Sequence, residues 1–490
     1  MVYINKEKIK SIILAILILT SLIQVGILWV SQSHRFPFSF LSAVFMRNSI
    51  DDNTNIKSRA RQEILIPYRI IISNGNNLDP THWLMKGNEE IFHILWDEGM
   101  EYVKRALNAG EGQAIDNNVW DKLVVSKGFI FEFKAGIKVS LVKWLLNIPI
   151  ASSAEHSENI RKIMILPDED INKNNTIYIL TDKNLYKYIL PFYKNNMPTK
   201  EYENIISSME LNINITKYNI IKEIDPNNQL PFKIPSDILC IVTGPKYQNY
   251  ASIAYSFGGK VTNIEEIAEI VLGNEKESYD RYIIDKYDTL VFKNLNNIYR
   301  LYKDGTLEYK YTPGAADQDK GDIGSAFEKA YIFVNRVKNY LLDSDGSLYL
   351  AKIKEDNPNY YEFVFEYMVE GYPVYIDYGL NEKDKDKDRS NLKNAVIIRV
   401  DSKRIIECNW LLISIDKNRD NKEYNVYFQY MLDEISKKYG KQEFSDFTVK
   451  NTIIAYLVDS GISGKTDPVW VVEKPDGSYY HVPMIEKKDD

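Results

Sequence analysis

The chain has 490 residues, room for several domains at about 100–200 residues each. Its 44% hydrophobic and 26% charged content is that of an ordinary folded protein, and its 61 basic and 68 acidic side chains leave a net charge of −7. Lys6, Lys8 and Lys10 against Glu7 put residues 1–34 at +2, so the rest carries −9, which argues against nucleic-acid binding and against flat adsorption to anionic lipid.

Ser11 to His34 holds no Asp, Glu, Lys or Arg. Its core, Ser11 to Val30, is long enough as a helix to cross a hydrocarbon layer of roughly 30 Å. Three lysines precede it and Arg35 is the first charge after it, so the positive-inside rule leaves the N-terminus cytoplasmic and the body outside. Tyr3 and Trp29 mark the two interfaces. The rival is a cleaved signal peptide, whose apolar region is shorter and whose A-x-A site has only Ser31-Gln32-Ser33 as a poor imitation. No lipoprotein site exists, because the first cysteine is Cys240. Thr20 and Gln24 share a helical face, flanked by Ser21 and Gly26. A glutamine amide in hydrocarbon needs a hydrogen-bonding partner, so these four residues are the candidate contact face.

Residues 46–62 are polar and mixed in charge, which suggests a tether, and folded structure is expected from Ile64. Strands are expected at Arg69–Ile72, Lys127–Phe133 and Ile163–Leu166. Phe129, Phe131 and Phe133 alternate as on a half-buried strand. A helix is expected at about 86–108, where Phe92, Leu95, Trp96, Gly99, Val103 and Leu107 keep helical spacing. Thr176–Leu180 and Leu185–Leu190 flank the turn residues Thr181-Asp182-Lys183-Asn184 and suggest a hairpin. Together these predict an α+β domain over 62–230. Pro226, Pro231 and Pro235 then punctuate the chain. A strand at Ile238–Val242, a helix at Ile264–Leu272, a meander from Leu290 to Tyr311 and a helix at Phe327–Val337 predict a middle domain, 232–335. The last domain, 336–484, repeats this grammar. It has strands at Tyr361–Tyr367, Ala395–Val400, Arg404–Trp410, Ile453–Val458 and Val469–Glu473, and an amphipathic helix at Tyr424–Lys438. The repetition suggests a duplicated unit. The organisation is therefore a cytoplasmic tail (1–10), a transmembrane helix (11–31), a juxtamembrane linker (32–61) and three extracytoplasmic α+β domains.

Motifs for chemistry are few. The five histidines are scattered, and His93-Ile94-Leu95-Trp96 is not the HExxH pattern that places two imidazoles on one helical face. His82, beside Trp83, is expected to open a helix as a surface histidine. Ser390-Asn391-Leu392-Lys393 and Lys465-Thr466-Asp467 imitate nucleophile motifs by chance, and no G-x-S-x-G or P-loop is present. Asp384, Asp386 and Asp388 keep calcium-loop spacing, but the required Gly and Glu are missing, and lysines intervene. No catalytic residue, metal or cofactor is expected. Cys240 and Cys408 sit in strand-like segments; a disulfide is open, and two buried thiols are the preferred reading.

Several segments together resemble the YycH family. Lys8-Ile9-Lys10 through Leu28-Trp29 looks like its signal-anchor. Trp96-Asp97-Glu98 and the Phe129–Phe133 strand are similar to its first domain, and Tyr311-Thr312-Pro313 is similar to its middle one. Tyr361-Glu362-Phe363, Gly371-Tyr372-Pro373-Val374 and Pro468-Val469-Trp470 look like the last domain, which YycI proteins share. The resemblance implies PepSY-like modules in the last two domains. It also implies regulation of a sensor histidine kinase, WalK or YycG, that controls cell-wall metabolism in low-GC Gram-positive bacteria. A YycI-like protein would be a second partner. The 382–389 loop departs from the family. A membrane-tethered hydrolase acting on cell-wall material or peptides is the alternative; convergent, oppositely perturbed carboxylates in a deep cleft would favour it.

Overall fold

The computed structural model describes residues 53–487, except 77–79, 87–89, 150–157, 167–174, 191–198, 213–214, 226, 228–229, 231, 243–245, 258–279, 285–288, 303–304, 313–318, 342–343, 378–393, 440–447, 460–462 and 476–477. The expected helix at 264–272 and the charged loop at 382–389 lie outside the described residues, as does the expected membrane span at 11–31. Among the described residues no helix is long and apolar enough to cross a membrane.

Described structure starts earlier than the expected Ile64, with α1 (Asn53–Ile64). Ile56, Ala60 and Ile64 recur every four residues and present one face to the core, so this stretch packs rather than tethers. Next come β1 (Arg69–Ser73), β2 (His82–Met85), α2 (Glu90–Asn108), β3 (Gln113–Ile115), α3 (Trp120–Leu123), β4 (Gly128–Lys138) and α4 (Val139–Leu145). They are followed by β5 (Asn159–Leu166), β6 (Asn175–Thr181), β7 (Leu185–Leu190), α5 (Thr199–Leu211), β8 (Lys217–Ile220), α6 (Ile221–Ile224) and β9 (Leu239–Cys240). The strands form a nine-stranded antiparallel sheet in the order β3-β7-β6-β5-β4-β1-β2-β8-β9. The expected β6–β7 hairpin forms, with Leu180 opposite Leu185.

The central strand β4 is covered on both faces, not one. Phe129, Phe131 and Phe133 pack into the main core with Leu95 and Trp96 of α2, while Ile130 joins Trp120, Leu123 and Val124 on the other side. The one-face reading missed α3, which lies more than 100 residues from its neighbour Asp237 but against the same sheet. Gly99 permits the close approach of α2: a Cβ there would sit 2.7 Å from the Phe131 ring.

The second half contains β10 (Tyr247–Phe257), β11 (Asp280–Ile284), β12 (Thr289–Lys293), β13 (Asn297–Leu301), β14 (Thr306–Tyr311), α7 (Ile323–Leu341), β15 (Ser347–Lys354), β16 (Tyr361–Val369) and β17 (Tyr372–Asp377). The remainder are β18 (Val396–Val400), β19 (Ile405–Leu411), β20 (Ile413–Asn425), α8 (Phe428–Tyr439), β21 (Asn451–Asp459), β22 (Gly464–Thr466), β23 (Pro468–Glu473) and β24 (Tyr479–Pro483). Twelve strands form one sheet, β11-β12-β13-β14-β19-β18-β16-β17-β21-β23-β24, with β15 on the other edge of β16. Among the described residues, only its β17–β21 pairing is parallel. A smaller sheet, β20-β10-β22, sits beside it.

β14 pairs with β19, and β10 pairs with β20, so sheets run across the 335/336 boundary drawn from the sequence. The architecture is α+β, built mostly of antiparallel strands. One hydrophobic cluster joins both large sheets, including Ile70 and Phe131 of the first and Phe363, Val396 and Trp410 of the second. Inside it the Tyr367 hydroxyl donates to the Leu411 carbonyl at 3.0 Å and accepts from Trp410 Nε1 at 3.0 Å and the Ile413 amide at 3.2 Å. That one hydroxyl satisfies three of the polar groups buried at the β19–β20 corner.

Candidate functional site

A cavity of about 520 Å³ opens where β4 and β5 of the first sheet face β15, β16 and β17 of the second. Lys450, just before β21, and Glu473, the last residue of β23, complete the wall. Both bordering ladders are interrupted at this place. The β4–β5 register shifts between Glu132 and Ile137, and the β15–β16 register shifts between Leu350 and Lys352. Such irregularities re-aim side chains out of the regular alternation. On β4 they bring Lys134 to the cavity wall. Gly136 also lines it, and a Cβ at that position would lie 2.7 Å from Asn159 Cβ and 3.0 Å from Arg161 Nε. Only glycine lets the Arg161 side chain lie so close to β4.

Two carboxylates in this cavity are driven apart in acidity. Burial pushes the Glu366 carboxyl above its ordinary range, with the charge of Glu473 adding to the effect, although the Tyr349 hydroxyl donates to it at 2.7 Å. Burial would also raise Glu473, but Lys134 at 3.0 Å and a hydrogen bond from the Tyr375 hydroxyl outweigh it and hold Glu473 below the ordinary range. Lys134 further donates to Tyr375 at 3.3 Å. The Tyr349 and Tyr375 phenols are both pushed well up, first by burial and then by the neighbouring carboxylates.

The wall is richer in cations than in acids. Six basic residues line it (Lys134, Arg161, Lys352, Lys354, Lys450, Lys474) against three acids, Asp182, Glu366 and Glu473. Several of these are committed elsewhere. Lys354 pairs with Glu362 at 2.6 Å, Lys474 lies 4.5 Å over the Tyr480 ring, and Asp182 accepts from the Asn159 amide and side chain at 2.9 and 2.8 Å. Arg161, Lys352 and Lys450 have no side-chain hydrogen bond or ion pair within 4 Å among the described residues. Partial burial depresses Lys450, and the charges of Arg161 and Lys134 push it the same way, against the opposing pull of Glu473. Chemically, the arrangement can hold an anion, and its Glu366–Glu473 pair combines a carboxyl that favours its proton with one that favours its charge.

A second, smaller cavity of about 70 Å³ lies at another seam between the sheets. Tyr68, Tyr218, Tyr250 and Tyr372 surround it, and burial raises all four phenols. Behind it runs a buried charge network. Arg69 bonds Glu132 at 2.6 Å; Lys162 lies 3.5 Å from Glu132 and 2.6 Å from Asp237; Trp120 Nε1 donates to Asp237 at 2.8 Å. Every member has an opposite partner, so the network reads as structural.

The sequence expectations fare unevenly here. Thr20, Ser21, Gln24 and Gly26 lie outside the described residues. His82 does not open a helix at the surface; it lies in β2, wholly buried, with Nε2 donating to the Val124 carbonyl at 3.1 Å and Nδ1 3.5 Å from Glu223. Cys240 and Cys408 are both free and buried. Among the described residues no three His, Cys, Asp or Glu side chains are grouped to hold a metal ion. The cavity residues were missed because they come together from positions 134 to 475 with no local motif. A faint signal existed: Glu366 interrupts the apolar run of β16, and Lys134 follows three alternating phenylalanines.

No family model matches the chain, and no curated protein matches it. A solved structure of an uncharacterized protein from Eubacterium rectale is similar over 59% of this chain and 99% of its own, at 14% identity and a TM-score of 0.28.

Proposed function

We propose that this protein is a membrane-anchored extracytoplasmic regulator that modulates a sensor histidine kinase of the WalK/YycG type, in a two-component system controlling cell-wall metabolism. The observation that carries this reading is the uncharged Ser11–Val30 stretch behind Lys6, Lys8 and Lys10, with Thr20, Ser21, Gln24 and Gly26 set into it. The segments similar to YycH support the same assignment and, with it, PepSY-like character in the last two domains and a YycI-like partner. A regulator needs only different affinities for two states of its target. The two-sheet body supplies a sensing element, since a cavity lined from both sheets lets a ligand favour one arrangement of them. The test is co-purification of the full-length chain with the kinase after changing Thr20, Ser21 and Gln24 together to Leu. Loss of the kinase is expected; undiminished association with unaltered signalling removes the proposal.

A second reading, a tethered hydrolase acting on cell-wall material or peptides, has one observation in its favour. Glu366 and Glu473 line one cavity with oppositely shifted acidities, as an acid and a base would. Both carboxylates are already engaged by Tyr349, Tyr375 and Lys134, which favours a binding role for the cavity. Activity on peptidoglycan fragments that vanishes in Glu366→Gln and in Glu473→Gln would reverse that preference.

A further inference from the structure

We propose that the cavity between the two large sheets is a binding site for a small organic phosphate ester, held by Arg161, Lys450 and Lys352. The site is independent of the kinase reading, because it requires no partner protein, and of the hydrolase reading, because it uses neither Glu366 nor Glu473.

Charge is the first argument. The protein as a whole is acidic, at −7, yet basic side chains outnumber acidic ones by two to one on this wall. Of these cations, Lys134 and Lys354 are each paired with a close carboxylate, while Arg161, Lys352 and Lys450 have no carboxylate within 4 Å among the described residues and feel Asp182 and Glu473 only at longer range. Gathering like charges beside a partly desolvated space is unfavourable unless an anion relieves it. The local backbone keeps them together: the β4 irregularity and Gly136 make room for Arg161 at the wall.

Geometry and chemistry then select the class of anion. A guanidinium with two ammonium groups matches the three oxygens of a phosphate monoester dianion, which Arg engages through parallel N–H donors and Lys as point charges. A cavity of about 520 Å³ falls in the size range of sites for organic ligands and far exceeds what inorganic phosphate alone would fill. The same lining includes the apolar side chains Ala351, Ile353 and Val364, against which the ester portion would rest. Tyr349 and Tyr375 also line it.

The experiment is calorimetric titration of the full-length chain, in detergent and phosphate-free buffer, with glycerol 3-phosphate and separately with inorganic phosphate. One saturable site for glycerol 3-phosphate is expected, weakened at least about tenfold in the R161Q/K450Q double variant and by added salt. Lys437→Gln serves as the control, since that exposed side chain on α8 pairs with Glu434 on its own helix and should leave binding unchanged. The melting temperature of each variant is measured alongside, so that misfolding is not read as lost binding. Equal affinity for inorganic phosphate overturns the ester assignment. Absence of saturable binding by either probe, or a well-folded double variant that binds as tightly as the parent, overturns the site.

Discussion

Glu132 shows how much depends on single buried charges. It is buried on β4, and burial alone would raise its carboxyl; Arg69 and Lys162 outweigh that and hold it at about 2, against an ordinary value of 4.5. Because the folded value is depressed, its contribution to stability is complete above the ordinary value. It is lost as pH falls from there through about 2. Replacing it with Gln leaves Arg69 buried without its carboxylate, so Glu132→Gln should cost about 3–5 kcal/mol at neutral pH, read by urea denaturation. The gap between parent and variant should begin to narrow below about pH 4.5, as the unfolded parent takes up the proton, and keep narrowing toward about pH 2. A gap independent of pH would show that the network is not held by this carboxylate. The cysteines make a simpler case. Burial pushes both thiols up, with Glu223 adding for Cys240 and Glu407 for Cys408, so neither should react with a thiol reagent until denaturant unfolds the chain. Labelling of either in the native protein would contradict the burial. The spacing of these cysteines left pairing open, whereas packing decides it. His82 is the opposite lesson: nothing local distinguishes an imidazole on a buried strand from one at a helix start, because its partners Val124 and Glu223 come from distant positions.

Elements were legible where their periodicity was strong and their burial one-sided. The helix α2 and the β6–β7 hairpin follow from apolar spacing and turn chemistry, and β18 and β19 follow from alternation around Asp401-Ser402. The long strands β10 and β20 were not legible. β20 reads ISIDKNRDNKEYN, a polar run that by itself suggests a loop, yet it pairs with β10 along most of its length. Tertiary pairing overrides intrinsic preference there. Helix α1 failed for a related reason, since its apolar residues are too sparse to stand out among charges. The close approach of α7 and α4 is testable at this scale. A Cβ on Gly324 would overlap the Trp144 indole, which also meets Phe327 edge-on at 6.4 Å. Gly324→Ala therefore gains helix propensity but must displace the indole, and a net loss of about 1–3 kcal/mol is expected in chemical denaturation. A neutral or stabilised variant would mean that α4 moves freely relative to α7.

At the scale of the molecule, the boundaries drawn from the sequence assumed that each helix-and-meander pattern buries its own face. The strands instead continue through β14–β19 and β10–β20, because an edge strand with open hydrogen-bonding groups is satisfied by whichever strand packs beside it, however distant in sequence. The two large sheets also share apolar material. Residues 55–490 form one compact unit, and a single cluster contains Phe131 with Phe363 and Trp410. Charged contacts add to this seam: Lys134 with Glu473, and Lys138 with Glu355. Neither sheet can therefore unfold without exposing apolar surface of the other, and that coupling is what makes unfolding cooperative. Calorimetry of the full-length chain should accordingly show one transition for this body, with calorimetric and van't Hoff enthalpies in agreement. Two resolved transitions would mean that the shared cluster is too weak to link the sheets. The cavity gains its meaning from the same coupling. A ligand bound between sheets that unfold together stabilises the whole body, so glycerol 3-phosphate should shift the single transition as one, by an amount that grows with the logarithm of its concentration above Kd.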